Sequence, residues 1–215
     1  MNLKGAAPEK FGPIKTFFYR LWAEPSIDPM HRRIASEVPI EKGRLLDVGC
    51  GAGKLDLLIA AARPNVGVVG LDSSEPMITA ARKRTSAPNV EFRLGTIEKS
   101  GFSGEFDFAL TVLSFHHWEE PGDGLRAVHR ALAPGGTFWI YEMDPEAPGT
   151  AICRDRAALW GFLTLPMALQ RAMSRDHGFT AAQVDELVRP LAEKSGFGGF
   201  GVTRVGSTLR LELHR

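Results

Sequence analysis

The sequence has little cysteine and no long apolar run. Only two of its 215 residues are cysteines, Cys50 and Cys153, and they lie far apart in the chain. This spacing forms neither a disulfide framework nor a zinc-binding motif. No segment approaches about 18 uninterrupted apolar residues, and residues 1–15 lack the apolar region of a secretory signal. We therefore expect a cytoplasmic protein with no membrane span and no metal site.

An excess of charge of one sign is also missing. The chain has 26 Lys and Arg against 25 Asp and Glu, which gives a formal net charge of +1. Nucleic-acid phosphates are neutralised by a surplus of basic side chains. A partner of the size of DNA or tRNA is therefore disfavoured, although the charge alone does not exclude one.

Short apolar runs alternate with helical patterns through the middle of the chain. Apolar or β-branched runs bounded by Gly, Pro or Asp are typical of buried strands, and they occur at 44–49, 66–72, 90–95, 106–113 and 136–143. Helical patterns lie between them, at 54–63, 74–84 and 123–136. Two further strand-like runs meet at Gly206-Ser207 and suggest an antiparallel hairpin. This order predicts an α/β fold, a doubly wound sheet of seven strands that is mostly parallel, with helices on both faces.

A glycine-rich loop follows the first predicted strand. In the stretch LLDVGCGAGKL, at 45–55, glycines stand at alternate positions: Gly49, Gly51 and Gly53. Ligands of open α/β sheets bind at the carboxyl ends of the strands. Glycines there let the backbone come close to a ligand, beside the N-terminus of the next helix. The loop is therefore the predicted ligand cradle.

Two common phosphate-binding loops do not fit this stretch. A triphosphate loop needs Gly at position 48 and Ser or Thr at position 55, where the chain has Val48 and Leu55. A dinucleotide loop needs a small residue at position 54, where the chain has Lys54. Asp47 before the loop is also out of place in a dinucleotide loop. An NAD-dependent oxidoreductase is therefore disfavoured.

Several motifs, in order along the chain, resemble those of class I S-adenosylmethionine-dependent methyltransferases that act on small molecules. Asp47-x-Gly49-x-Gly51-x-Gly53 is similar to their first motif, and VVGLDSSEPMI, at 68–78, is similar to their second. Further similarities are found in FDFALTVLSFHHW and LAPGGTFWIYE, which begin at residues 106 and 132, and a weaker one in SGFGGFGVTRV, which begins at residue 195. The resemblance implies a Rossmann-like fold. It also implies S-adenosylmethionine as methyl donor and S-adenosylhomocysteine as product.

We expect a single methyltransferase domain over residues 1–215. The N-terminal part, 1–40, is predicted to form a helical cap, and 41–149 the cofactor-binding core. Residues 150–180 are predicted to form a lid-like helical insertion. The last helix and the C-terminal hairpin are expected in 181–215.

The resemblance also implies which residues hold the cofactor. Asp72 would accept hydrogen bonds from the ribose hydroxyls, Met77 would pack on the adenine ring, and Asp47 would lie near the methionine ammonium. Where relatives often have Gly-Asp after the third strand, this chain has Gly95-Thr96, so the adenine contact is less certain. The expected cofactor contacts are Asp47, Gly49, Cys50, Gly51, Gly53, Asp72, Ser73, Met77, Thr96, Ile97, Thr111, Val112, Leu113 and His117.

Two adjacent histidines follow the fourth strand, close to where the resemblance places the methyl group. His116 or His117 could act as a general base, since an imidazole is available in its neutral form near pH 7. A similar pair in many relatives only shapes the cofactor pocket, so both roles stay open. The acceptor pocket is expected from the aromatic-rich segments 8–30 and 150–175 and from the end of strand five, with Tyr19, Trp22, Glu142, Trp160 and Phe162.

The expected reaction is methyl transfer to a small organic acceptor, with O- or C-methylation favoured. Such a displacement depends mainly on proximity and orientation. An apolar, partly aromatic pocket suits a quinone precursor, a polyketide or another secondary metabolite. Two alternatives stay open: methylation of a macromolecule such as tRNA or protein, and a catalytically silent protein that only binds the cofactor. The chain is expected to be a monomer or a homodimer.

Overall fold

The computed structural model describes residues 12, 24, 27–84, 87–155 and 178–215. Seven strands form one sheet: β1 Gly43–Val48, β2 Val66–Asp72, β3 Val90–Leu94, β4 Phe106–Val112, β5 Leu132–Met143, β6 Gly199–Val205 and β7 Thr208–His214. The helices are α1 Asp28–Glu37, α2 Lys54–Ala62, α3 Glu75–Arg84, α4 Pro121–Ala131, α5 Gly149–Asp155 and α6, which comprises Ala181–Gln183, a π-helical part Val184–Val188, and Arg189–Lys194. Two 3-10 turns lie at Ile97–Lys99 and Phe115–His117.

The predicted doubly wound sheet is confirmed. Its strand order is β3-β2-β1-β4-β5-β7-β6, in which β1 to β6 run in one direction and only β7 runs in the opposite direction. Consecutive connections leave β1 in opposite directions, so the sheet has its switch point between β1 and β4. The carboxyl ends of these two strands therefore flank the crevice in which ligands of such folds bind.

The last two strands form the predicted hairpin, but β7 lies inside it, between β5 and β6. The side chains of β7 explain this order, because Leu209, Leu211 and Leu213 are buried. The side chains of β6 are exposed or half-buried throughout. The more apolar strand takes the inner position, and the more polar strand forms the edge.

Helices cover both faces of the sheet. On one face, α1 and α2 contribute Met30, Ile34 and Ile59 to a core cluster. On the other face, α4 and α6 contribute buried residues such as Leu125 and Val188. In the described part of the chain, no helix combines the length and the apolar character needed to cross a bilayer.

One predicted boundary is wrong by several residues. The helical pattern at 123–136 places Pro134 and Gly135 after the last turn of a helix, with the fifth strand starting at residue 136, but α4 ends at Ala131 and β5 begins at Leu132. The first residues of β5 pair irregularly with β4, since the register shifts between Phe106 and Phe108. Pro134 and Gly135 therefore belong to an irregular strand entry rather than to a helix end.

A buried carboxylate joins α5 to α1 and to the β6–β7 turn. Asp155 Oδ2 accepts hydrogen bonds from the backbone N–H and the hydroxyl of Ser207, at 2.6 and 2.8 Å. Its other oxygen pairs with Arg33 of α1. Arg33 also donates to the carbonyl oxygen of Val205, at 3.1 Å. This network fixes the C-terminal end of α5 against α1 and the β6–β7 turn.

Replacement of Asp155 by alanine should lower the free energy of unfolding by about 3 kcal/mol, because Arg33 and Ser207 lose a buried partner. Urea denaturation at pH 7 measures the change. Asp185→Ala is the matched control, since Asp185 forms an exposed pair with Arg189 and should cost less than about 1 kcal/mol. Equal effects of the two variants would contradict the role given to Asp155.

Candidate functional site

The glycine loop between β1 and α2 has a backbone that favours glycine. The φ angles of Gly49, Gly51 and Gly53 are +82°, +56° and +76°. The N–H groups of Gly49 and Cys50 donate to the carbonyl oxygen of Leu71, at 2.7 and 3.1 Å. The loop is therefore held against the end of β2, directly before the first N–H groups of α2.

The three glycines have different neighbours. A Cβ atom on Gly49 would clash with the hydroxyl of Ser114, and one on Gly53 would clash with the ring of Phe92. A Cβ atom on Gly51 would meet nothing within 4 Å. Gly49 and Gly53 thus allow close packing of the protein, whereas Gly51 faces the open pocket.

The Asp72 carboxylate, at the carboxyl end of β2, is bonded to the loop. Its two oxygens accept hydrogen bonds from the N–H groups of Gly51, at 2.9 Å, and Ser74, at 2.8 Å. Burial raises the pKa of Asp72, and these two donors oppose that shift. Each carboxylate oxygen can accept a second hydrogen bond. Asp72 therefore keeps acceptor capacity for two hydroxyl groups, while the adjacent Ser73 is exposed.

Two more carboxyl groups are buried beside this loop. Asp47 of β1 is 2% exposed, and its Oδ1 has no hydrogen-bond partner among the described residues. Asp56 of α2 is fully buried, and neither of its oxygens meets a donor from another described residue. Burial raises the pKa of Asp47 well above its ordinary value and that of Asp56 to about 7. Both groups therefore hold protons more tightly than exposed carboxylic acids do.

The pocket in front of the loop has a wall from the N-terminal part of the chain. Glu24 and His31 line it together with Asp47, Gly51 and Val112. The His31 side chain is buried, and its Nδ1 has no hydrogen-bond partner within the described ranges. Burial lowers the pKa of His31 to about 4, so the ring is neutral at pH 7.

Two ion pairs connect this wall to the core. Glu24 forms a two-pronged pair with Arg84 at the end of α3, with N–O distances of 2.7 and 2.8 Å. Asp28 of α1 pairs with Lys54 at the start of α2, at 2.5 Å. Lys54, whose size argues against a dinucleotide-binding loop, therefore has a different role in the structure. It neutralises the Asp28 carboxylate at the edge of the pocket.

The end of β4 closes another side of the site. Thr111 is fully buried, and its hydroxyl has no hydrogen-bond partner among the residues that the structure describes. Leu113 has a φ of +52°, a left-handed conformation that a leucine rarely adopts. Its N–H donates to Tyr141 at 2.8 Å, which holds this turn in place. Backbone strain of this kind is common where side chains must be aimed into a site.

His116 is held in one orientation by Glu142. Its Nδ1 lies 2.8 Å from Glu142 Oε2, and its backbone N–H donates to Oε1 at 3.1 Å. Both side chains are buried. When Glu142 is ionised, Nδ1 must carry the proton, so the lone pair of the neutral ring lies on Nε2. The ring of His117 packs against that of His116, with centroids 3.9 Å apart.

The predicted adenine contacts do not all lie beside the loop. Met77 is buried in a small cluster with Ala52 of the loop and Ala80. The Ile97 side chain is buried in the main core cluster, and Thr96 directly precedes its 3-10 turn. Met77 is thus beside the loop, whereas the Ile97 side chain contributes chiefly to core packing.

Cys50 is a buried residue of the loop. Burial raises the pKa of its thiol well above the ordinary value, with further contributions from nearby carboxylates. Because the thiolate is the reactive form, a thiol that stays protonated is unreactive at neutral pH.

The described residues include only part of the predicted acceptor pocket. Tyr19, Trp22, Trp160 and Phe162 lie outside the described residues. Glu142 is fully buried and bonded to His116, so a direct contact with the acceptor stays a prediction. In the described ranges, no group of three His, Cys, Asp or Glu side chains is arranged to hold a metal ion.

Sequence reasoning missed three residues beside the site: Glu24, His31 and Asp56. For Asp56 a signal was present, because this charged residue stands in the otherwise apolar stretch LDLLIAAA. An acidic side chain at a core-facing helical position is unusual, because acids are rarely fully buried without a partner. Glu24 and His31 carried no such signal, since their position over the loop depends on how distant parts of the chain pack.

Part of this chain matches a known protein family and two named relatives. Residues 46–140 match the family model described as Methyltransferase domain. Demethylmenaquinone methyltransferase of Thermus thermophilus is 31% identical over 123 residues, which cover 55% of this chain and 56% of that protein. Ubiquinone biosynthesis O-methyltransferase of a Caulobacter species is 30% identical over 148 residues, 67% of this chain and 57% of that protein. This chain thus spans little more than half the length of these two relatives.

The fold has close counterparts among solved structures. A crystal structure of an S-adenosylmethionine-dependent methyltransferase from Aquifex aeolicus superposes with a TM-score of 0.64 and 21% identity. The match covers 95% of this chain and 98% of that one. At this identity the likeness concerns the fold.

The glycines of the loop should respond differently to alanine. Gly51→Ala should lower the free energy of unfolding by about 1 kcal/mol, since it adds only the cost of a left-handed backbone at an open position. Gly53→Ala should cost about 3 kcal/mol, because the same backbone cost is joined by a clash with Phe92. Urea denaturation of both variants measures the difference, and an equal loss would show that the space at Gly51 is not as described.

Proposed function

We propose that this chain, which belongs to the class I S-adenosylmethionine-dependent methyltransferases by its domain at 46–140, methylates a small organic acceptor. The observation that carries the proposal is the loop itself. Gly51 faces an open pocket, and the carboxylates of Asp47 and Asp72 lie beside it. This set suits a ligand with hydroxyl and ammonium donors and no phosphate.

The residues present fit this cofactor. Asp72 would hold the ribose hydroxyls, and the unpartnered oxygen of Asp47 would accept from the ammonium group. Met77 beside Ala52 would cover one side of the adenine ring. The remaining contacts in the proposal are Gly49, Cys50, Gly53, Ser73, Thr96, Ile97, Thr111, Val112, Leu113 and His117. When bound, the cofactor supplies a methyl group activated on a sulfonium.

The acceptor class is supported by the names of the relatives. One is named for demethylmenaquinone, and the other is named as an O-methyltransferase of ubiquinone biosynthesis. We infer a small quinone-like or phenolic acceptor, methylated at oxygen or carbon. The proposed acceptor pocket includes Tyr19, Trp22, Trp160 and Phe162, with Glu142 behind His116.

His116 is the better placed of the two proposed bases. Glu142 orients its ring and stabilises the positive charge that the ring gains when it takes a proton. With Nδ1 bonded to Glu142, proton transfer would take place at Nε2. His117 packs against this ring and would share in shaping the pocket. Positioning of the acceptor supplies the rest of the rate enhancement.

The cellular compartment, the oligomeric state and the domain organisation of the enzyme are part of the same proposal. Low cysteine content supports a reducing compartment, and we therefore propose the cytoplasm, with the protein as a monomer or homodimer. The proposed parts are a cap at 1–40, a cofactor-binding core at 41–149, a lid at 150–180 and a final helix with hairpin at 181–215.

Calorimetric titration tests the cofactor assignment. The chain should bind S-adenosylmethionine and S-adenosylhomocysteine but not NADH. Asp72→Ala should weaken binding at least tenfold, because bonds to a charged group are lost. Glu75→Ala is the matched control, since this exposed acid lies only three residues further along the chain. Binding of NADH alone, or unchanged affinity in Asp72→Ala, would overturn the assignment.

Isotope-labelled cofactor then identifies the acceptor class. Incubation with a fractionated cell extract should place the label in small organic metabolites. Label in the RNA or protein fraction would favour a macromolecular acceptor. Binding without transfer to any fraction would favour a protein that only holds the cofactor.

His116→Gln should lower kcat about a hundredfold with the labelled acceptor, and Glu142→Gln should lower it less, because the amide can still hold the ring. His129→Gln is the control, since His129 packs against Phe197 away from the loop. Normal kcat in His116→Gln would show that the histidine only shapes the pocket.

A further inference from the structure

A buried histidine lines the pocket and has no partner of its own. The His31 side chain is 7% exposed, and its Nδ1 forms no hydrogen bond in the part of the chain that the structure describes. Most buried polar atoms in native proteins are hydrogen-bonded, so an exception needs an explanation. The His31 ring borders a cavity together with Asp47 and the glycine loop. A ligand in that cavity would supply the missing partner.

The start of α1 is held against the start of α2, and this contact fixes where His31 lies. Asp28, the first residue of α1, forms an ion pair with Lys54, the first residue of α2. Behind this pair, Ile34 of α1 and Leu55 of α2 belong to the same buried cluster. Lys54 and Leu55 also line the cavity that His31 borders. The ring therefore lies beside the first turn of α2.

The first turn of α2 favours an anion in this cavity. The N–H groups at the start of a helix have no partner within the helix, and the positive end of the helix dipole lies there. The helix runs over nine residues, Lys54–Ala62, and its first two residues line the cavity. A carboxylate next to them would accept hydrogen bonds from backbone N–H groups.

The cavity is small and lies at one end of the proposed site. Its volume is about 30 Å³, which holds about two water molecules and therefore the two oxygens of one carboxylate. Asp47, the proposed partner of the ammonium group, lines it, whereas Asp72, the proposed partner of the ribose, does not. The cavity thus corresponds to the amino-acid end of the cofactor, where ammonium and carboxylate are attached to the same carbon atom.

Acceptors and donors in this cavity are divided between different side chains. Among the described lining residues, Glu24 and Asp47 carry carboxyl groups, while His31 and Lys54 carry side-chain nitrogen donors. Glu24 and Lys54 already form ion pairs with residues that do not line the cavity. Asp47 therefore keeps acceptor capacity for a cation, and His31 keeps an N–H donor for an anion.

We propose that His31 and the first turn of α2 form the binding site for the carboxylate of the cofactor. This inference rests on the proposed function. The Nδ1–H group of His31 donates to one carboxylate oxygen from the α1 side, and the N–H groups of Lys54 and Leu55 donate from the other side. His31 thereby selects ligands with an intact amino-acid group. Two-point contact, with the ammonium at Asp47 and the carboxylate at His31, fixes the orientation of that group.

Calorimetry of the full chain with two ligands tests the assignment. The ligands are S-adenosylhomocysteine and its decarboxylated analogue, in which hydrogen replaces the carboxylate and every other group is the same. The native chain should prefer S-adenosylhomocysteine by about a hundredfold, because hydrogen bonds to a charged group are lost with the analogue. In His31→Leu this preference should fall about tenfold. The affinity for the analogue should stay within about threefold of the native value, because the analogue makes no bond to His31.

Two further variants separate a binding role of His31 from a structural one. His31→Asn is the rescue variant, since its side-chain amide places an N–H donor near the position of Nδ1. It should keep the preference within about threefold of the native value. His129→Leu is the control, because His129 packs against Phe197 away from the loop, and it should behave as the native chain.

The possible outcomes distinguish the two proposals. If neither ligand binds the native chain, the proposed function fails and this inference fails with it. If both bind but His31→Leu keeps the native preference, or weakens both ligands equally, the carboxylate site is overturned and the proposed function stands. The same conclusion follows if His31→Asn loses the preference as His31→Leu does.

Should His31→Leu not fold, NMR of the native chain labelled with nitrogen-15 decides the question. The ring nitrogen signals of His31 should shift on binding of S-adenosylhomocysteine and stay in place with the decarboxylated analogue. Equal shifts with both ligands would overturn the inference.

Discussion

The close attachment of the glycine loop to the end of β2 is the contact on which the site depends. Gly49 and Cys50 donate to Leu71, and Gly51 donates to the Asp72 side chain. These bonds are possible only because the three loop glycines adopt positive φ angles. They set the position of the first turn of α2 and of the Asp72 carboxylate together. Without these hydrogen bonds, the loop would not be held against the end of β2, where it lines the pocket.

The buried acids around this loop oppose the stability of the fold. Asp47 and Asp56 occupy a space that apolar side chains could fill at lower cost. Raised pKa values limit that cost, because a protonated, neutral carboxyl group costs less to bury than a charged one. The left-handed backbone of Leu113 at the opposite strand end is a second local cost. Both features lie next to the pocket, as expected where function and stability compete.

Local patterns in the sequence predicted most of the fold. Apolar runs and helical periodicity predicted the alternating elements, the glycines of the stretch 45–55 predicted the loop, and the family resemblance implied the role of Asp72. The place of β7 between β5 and β6 was not predicted, because it depends on which hairpin strand buries more apolar surface. The same holds for Glu24 and His31, whose position over the loop comes from contacts between distant segments. Asp56 could have been recognised from its place on an apolar helix face.

A crystal structure of the full chain with S-adenosylhomocysteine tests the central claim most directly. The account predicts density that crosses the loop at Gly51, with both ribose hydroxyls on the Asp72 carboxylate and the ammonium group at Asp47. Density for the nucleoside at another edge of the sheet, or a ribose with no contact to Asp72, would contradict it.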